Sequence, residues 1–256
     1  MNAAFLFFMD SIIHLNVVGS TNDEMQRLLT VSCDDVAEGT LVYADEQTNG
    51  RGQVGNHWES EPGKNLLASI VLFPDFLPAD RQFLVTQIGA LAVRDFLTSH
   101  VGLNNVTVKW PNDVYVQDKK ISGTLNEAML MGKRMAYVIL GVGINLNQKT
   151  FSSYPVNPVS VLHLTEKEFD VDRAAVLLRQ CVMLRYMQLV NGEEEQIRSE
   201  YLSVMYRRHG FYEYEDESGC VFSAKLVTVH PEGELELELR DGKHRTFLFK
   251  QVKFVL

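Results

Sequence analysis

The chain has 256 residues, of which 24 are Lys or Arg and 33 are Asp or Glu, giving a formal charge of −9. That length suits one large domain, or one domain and a small module, and 46% hydrophobic with 22% charged residues is ordinary for a globular protein. Disorder, a disulfide scaffold and general nucleic-acid binding are disfavoured, the last because it carries a positive footprint; an anionic ligand held in a local basic pocket is not.

The apolar run at residues 3–9 lacks a basic leader and is closed by Asp10, so it suggests a strand or helix edge rather than a signal peptide. No run approaches the roughly 18–20 apolar residues that cross a bilayer. Cys33, Cys181 and Cys220 are scattered, without C-x-x-C or a nearby His pair. Reduced thiols in a cytoplasmic protein fit that pattern better than disulfides or zinc.

After Thr21, Met25, Leu28 and Leu29 share one face of a short helix. A strand is predicted at 41–44, a glycine-rich stretch at 47–63, and an apolar strand at 66–73. A long helix fits 79–100, where Phe83, Ile88, Leu91, Phe96 and Leu97 recur at helical spacing. Strand-like segments follow as VTVKW, VYVQ, ISGTLNEAML and MAYVILGVGI, with hairpin signals at 117–120 and 131–134. Helical material is predicted over about 172–205. From Gly210 on the pattern is almost only strand alternation, as in Leu235, Leu237 and Leu239, broken by turn residues at 216–219, 231–233 and 241–242. The expectation is an α+β domain with a largely antiparallel sheet over 1–205 and a small all-β domain over 206–256.

Four motifs carry chemistry. Residues 50–55 match G-x-G-x-x-G, but Pro62 and Gly63 follow too soon for a helix, so a Rossmann reading fails. What remains is either a mobile surface loop or a phosphate-wrapping loop with free N–H groups and Arg51. Lys109, Trp110, Pro111, Asn112 and Asp113, followed by Lys120 and Gly123, are either turn chemistry with a solvated hairpin tip or a site with an inward lysine. In Gly141-Val142-Gly143-Ile144-Asn145 the glycines mark either a bulge or a close approach, and Asn145 can pair with an amide-like edge. Thr21 and Glu24 have the spacing of a capping box, and a helix start also offers N–H donors to a carboxylate. No nucleophile elbow, P-loop or H-E-x-x-H is present. Any activity must therefore rest on positioning and electrostatics.

Taken together and in this order, STN, Q-T-x-G-R-G with a following Trp, KWPND with K-x-x-G, and G-x-G-I-N resemble the biotin protein ligase family. The resemblance covers about 20–146. It implies a class II synthetase-like mixed, largely antiparallel sheet with flanking helices, and a small C-terminal SH3-like β-barrel. It also implies ATP with Mg2+ as cofactors, biotin as substrate, biotinyl-5′-AMP as intermediate, and a lysine of a biotin carboxyl carrier protein domain as acceptor.

Carried over by motif, Ser20, Thr21, Asn22 and Gln47 meet biotin, with Gly50, Arg51, Gly52, Gln53, Lys120 and Gly123 beside it. Arg51, Trp58, Lys109, Trp110, Asn112, Lys120 and Asn145 meet ATP. Lys120 and Arg51 are the catalytic candidates, and Asp113 is a magnesium candidate. Many relatives continue Gly-Arg-Gly with a basic residue where this chain has Gln53 and Val54, which predicts looser retention of the adenylate. Only 19 residues precede Ser20, too few for the winged-helix domain of some members, so no DNA partner is expected. Two alternatives stay open: a lipoate ligase or lipoyl/octanoyl transferase of the same fold, and a non-catalytic biotin-binding regulator. Whether the chain forms a homodimer also stays open.

Overall fold

The computed structural model describes residues 11–31, 35–53, 57–152 and 157–255. The run at 3–9, Cys33, and Val54 and Gly55 of the glycine loop lie outside the described residues.

The central layer is a seven-stranded sheet. In chain order its strands are β1 (Ile12–Val18), β2 (Leu41–Gln47), β3 (Leu66–Leu72), β4 (Val106–Lys109), β5 (Asp113–Val116), β6 (Lys119–Met131) and β7 (Arg134–Ile144). Their spatial order is β1-β2-β3-β7-β6-β5-β4. Only the β1–β2 pair is parallel; the other five are antiparallel. β1 has no counterpart among the predicted segments, because Ile13, Leu15 and Val17 alternate too weakly against the polar residues around them.

Strand alternation divides the apolar residues between two faces. Leu41, Tyr43, Ala68, Ile70 and Leu72 join the main core, while Val42, Val71 and Ile139 join a smaller cluster with Met25 and Leu29. Helix α1 (Thr21–Val31) covers the smaller cluster. The main face is covered by α2 (Phe83–Asp95) and, behind it, α4 (Val171–Val190). All seven residues of β3 are buried, as suits a strand covered on both sides. The helix predicted over 79–100 forms in three pieces: a single 3-10 turn, α2, and a π turn at Phe96–His100. A short helix α3 (Val161–Thr165) was not predicted; Ser160 caps it, accepting from the backbone N–H of His163 at 3.3 Å.

Helix α5 (Glu194–Ser203) locks to α2 and α4 through Arg185, which is 9% exposed. Its guanidinium lies 2.6 Å from both Asp95 and Glu200, a double fork that satisfies the buried charge.

The C-terminal strands β8 (Tyr212–Asp216), β9 (Val221–Val229), β10 (Leu235–Leu239), β11 (His244–Phe247) and β12 (Val252–Phe254) form a sheet in the order β11-β10-β9-β8-β12. Leu235 and Leu237 are buried while Glu236 and Glu238 face outward. Among the described residues this sheet is open, with β11 and β12 as edges, and is not the closed barrel expected. Its apolar face packs into the main core rather than onto itself: Tyr214, Leu226, Phe247 and Phe254 belong to the same cluster as α2 and the central sheet. A face already covered does not need closure to escape water.

Candidate functional site

The cleft lies on the α1 face of the central sheet. That face carries Ile139 in its apolar cluster, and two and four residues further along β7 come Gly141 and Gly143. The loss of side chains there recesses the floor. Gly143 pairs with Leu67 of β3 and with Gly123 of β6, and Gly141 pairs with Ser69. Other groups fill the space: a Cβ on Gly141 would strike the Asn22 amide, and one on Gly143 would come within 2.5 Å of the Trp58 ring. Close approach, not a bulge, is what these glycines permit. The resulting cleft holds about 1100 Å³.

At one end sits a polar network built on the first turn of α1. Gln47 Oε1 accepts from the Thr21 backbone N–H at 2.7 Å and from the Thr21 hydroxyl at 3.1 Å. The Ser69 hydroxyl lies 2.8 Å from that of Thr21 and also reaches Asn22 Oδ1. Asn22 Nδ2 donates to Glu127 at 2.7 Å. Ser20, Thr21, Asn22 and Ser69 are buried, so the network is rigid and each member has a fixed role. The capping box expected at Thr21 and Glu24 does not form. The Thr21 hydroxyl serves Gln47, and Glu24 pairs with Arg27 at 2.7 Å. Leu67, Leu125 and Val142 give the same end an apolar wall.

The glycine loop folds back through an isolated bridge between Arg51 and His57 and does not continue into a helix. That is the outcome predicted from Pro62 and Gly63. Arg51, Gly52, Gln53 and Trp58 line the cleft, while Gly50 lies behind it, its carbonyl accepting from the Trp58 N–H at 3.1 Å. The Arg51 guanidinium is held by Asp23 at 2.6 Å and Glu127 at 3.2 Å, so it faces the polar end rather than the middle.

In the middle, Lys120 Nζ lies 2.7 Å from Asp113 Oδ1 and 5.7 Å from the centre of the Trp58 ring. Asp113 sits where β5 begins and Lys120 near the start of β6, so a tight hairpin presents both to the cleft. The Trp58 indole N–H is buried and has no partner among the described residues.

The far wall combines residues 109–113 with the last strand of the C-terminal sheet. Lys109 Nζ sits 3.2 Å from the Tyr115 hydroxyl and over the rings of Tyr115 and Phe254. Burial pulls its pKa below the ordinary lysine value, with the Asp113 carboxylate opposing the fall. Trp110 donates to the Gly233 carbonyl at 2.8 Å. Asn112 donates to the Thr124 carbonyl, and Asn145 donates to the Val159 carbonyl at 3.1 Å. These polar groups are engaged by the chain's own backbone, so they act at least as anchors of the wall.

Every candidate named from the sequence lines this cleft except Gly50. Sequence reasoning missed Ser69 and Glu127, which support the lining residues Thr21, Asn22 and Arg51, and the wall segment formed by Phe249, Lys250, Val252, Lys253 and Phe254. A signal for Glu127 exists, since it stands four residues beyond Gly123 on the same strand. None exists for 249–254, which only the packing of the second sheet brings to the site.

Among the described residues, no three His, Cys, Asp or Glu side chains converge as metal ligands. Asp113, the magnesium candidate, is a single carboxylate already neutralised by Lys120. A resident metal centre does not fit this side-chain set. A divalent ion arriving on a nucleotide triphosphate asks for only one or two protein oxygens. No helix among the described residues is long and apolar enough to cross a membrane.

Comparison with known proteins agrees with this geometry. The sequence profile of the Biotin/lipoate A/B protein ligase family matches residues 16–145. The chain is 35% identical over 139 residues to the bifunctional ligase/repressor BirA of Bacillus spizizenii, covering 54% of this chain and 41% of that protein. It is 28% identical over 223 residues to the biotin–[acetyl-CoA-carboxylase] ligase of Paracoccus denitrificans, covering 79% and 89% of the two chains. The chain thus spans under half the length of the first of these relatives. In three dimensions it superposes on a biotin protein ligase from Aquifex aeolicus, solved in complex with biotin and ATP. The TM-score is 0.78 at 24% identity, over 96% of this chain and all of that one, a likeness that shows the fold. The glycine-floored cleft and the profile that ends at Asn145, on its wall, agree: this chain belongs to the Biotin/lipoate A/B protein ligase family.

Proposed function

We propose that this cleft joins biotin to ATP as biotinyl-5′-AMP and passes the biotinyl group to a lysine of a carboxyl carrier domain. The observation that carries the reading is the polarity of the cleft along its length. One end offers buried amides and hydroxyls beside an apolar wall, which suits a ureido ring and its alkyl tail. The middle offers one ammonium group, and the far side an aromatic and cationic wall for a nucleotide. A lipoyl tail has no use for the four-residue polar network of Thr21, Asn22, Gln47 and Ser69.

In the first step an oxygen of the biotin carboxylate bonds to the α-phosphorus of MgATP. The bond to the bridging oxygen breaks, and pyrophosphate leaves with the electron pair. Two anions must meet, and charge grows on the phosphoryl oxygens. In this reading Lys120 holds the carboxylate and α-phosphate together, and Asp113, 2.7 Å away, orients its ammonium. Arg51, released from Asp23 and Glu127, closes the loop on the acyl phosphate. In the second step the lysine nitrogen bonds to the acyl carbon and AMP leaves. The amine's proton passes to solvent, and no side-chain nucleophile is required.

Magnesium enters with the nucleotide as part of the substrate. The division near residue 205 into a catalytic unit and a C-terminal unit, and a homodimer formed through exposed sheet edges, are part of the same proposal. The test is biotin-dependent exchange of labelled pyrophosphate into ATP, with lipoate in a parallel reaction, followed by the mass of a carrier domain after incubation. Exchange with biotin and a carrier heavier by one biotinyl group are expected. Exchange with lipoate instead, or with neither, overturns the reading.

A further inference from the structure

The turn at residues 110–112 forms the nucleotide side of the cleft, yet its polar groups are held from outside it. Trp110 is 5% exposed and donates to Gly233, in the turn between β9 and β10, at 2.8 Å. Its ring meets Phe249 at 6.1 Å, edge on. The Pro111 carbonyl accepts from the Tyr201 hydroxyl of α5 at 2.7 Å.

These anchors are joined to each other. Gly233 has φ +102°, and a Cβ there would lie 2.6 Å from the Phe83 ring. Phe83 in turn stands edge-on to Tyr201, with ring centres 5.9 Å apart. The path from Trp110 through Gly233, Phe83 and Tyr201 back to Pro111 is a closed circuit of contacts. Neither Gly233 nor Tyr201 lines the cleft.

We propose that this circuit is a clamp through which the C-terminal sheet positions the nucleotide wall, with Gly233 and Tyr201 as positioning residues. The inference rests on the reading of the 109–113 side as the ATP side. Its physical basis is that a buried turn held by two external hydrogen bonds moves when either anchor is lost, since each unmade bond leaves an unsatisfied polar group. The biotin end is tied to α1, β2, β3 and, through Glu127, β6, and shares none of these contacts.

The experiment measures KM for ATP and KM for biotin separately in pyrophosphate exchange, for the wild type, Gly233→Ala and Tyr201→Phe. Gly219→Ala is the control. That residue also has positive φ (+79°) and lies in a turn of the same sheet, but nothing stands within 4 Å of its added Cβ. The expected result is a rise of about tenfold in KM for ATP in both clamp variants, the scale of one lost buried hydrogen bond. KM for biotin should stay within twofold, and the control should change neither. The double variant should be no worse than the more affected single, because both residues act through one turn. Should Gly233→Ala fail to fold, Tyr201→Phe, which keeps the ring, carries the measurement alone. An unmoved KM for ATP in a folded variant, or equal rises for both substrates, overturns the clamp. A wild type without biotin-dependent exchange would instead count against the proposed function, and ATP binding by calorimetry would then test the clamp on its own.

Discussion

Replacing Lys120 by methionine removes the ammonium group and keeps a side chain of similar reach. The structure separates its two consequences. For stability, the pair with Asp113 is about a quarter exposed on each side. Losing it costs at most about 1 kcal/mol, as for other solvent-accessible ion pairs. In the proposed reaction Lys120 is the cation that bridges carboxylate and α-phosphate. At about 4 Å and an effective dielectric of about 20, one charge contact is worth about 4 kcal/mol. Lost from the transition state alone, that is a factor of roughly 10³ in rate, in line with the removal of one donor from an oxyanion site. Single-turnover formation of adenylate, followed by labelled pyrophosphate release, should therefore fall about a thousandfold while the thermal midpoint shifts by a few degrees. Adenylate formation within tenfold of the wild type would show that the charge is supplied elsewhere and refute the role given to Lys120.

The glycine floor predicts a selective pair. Gly141→Ala strikes Asn22 and should raise KM for biotin, whereas Gly143→Ala, whose Cβ would meet Trp58 at 2.5 Å, should weaken ATP and shift tryptophan emission; identical effects on both substrates would contradict the division of the cleft. Gln53→Arg restores a basic residue in the loop and should slow dissociation of the adenylate, measured by filter retention; an unchanged off-rate would refute that reading. Arg185→Ala leaves Asp95 and Glu200 without their partner and should cost about 3–5 kcal/mol in urea unfolding. Arg185 holds the Glu200 carboxyl below its ordinary value, so this stabilisation is complete above the unfolded glutamate pKa of about 4.3 and is lost as the pH falls through the lower folded value. Midpoints measured from neutral pH down to about 3 should fall in the wild type, and the gap between wild type and variant should narrow.

Much of the site was legible in the residue pattern. Pro62 and Gly63, coming too soon after the glycines for a helix, ruled out a Rossmann turn, and the hairpin signal at 117–120 already put Lys120 at a turn between strands. The residues carried over by motif from 20 to 145 converge on one cleft, with Gly50 just behind it. Local chemistry was less faithful. Thr21 and Glu24 have the spacing of a capping box, but Gln47 competes for the hydroxyl from a neighbouring strand, and no local pattern contains that competitor. Trp110 was expected as a nucleotide contact; the structure shows it as an anchor, because its N–H finds a carbonyl in the other sheet.

The sequence by itself determined the periodicities: which segments alternate, which recur every three or four residues, and where glycine replaces a side chain. Those are local properties of the chain, set by covalent geometry and the need to bury apolar groups. Only the tertiary structure decided that Arg51 rests on Asp23 and Glu127, that the second sheet stays open, and that residues 249–254 complete the wall. Each of these depends on contacts between segments remote in the chain, whose meeting is chosen by the packing of the whole core and leaves no mark in the spacing of neighbours.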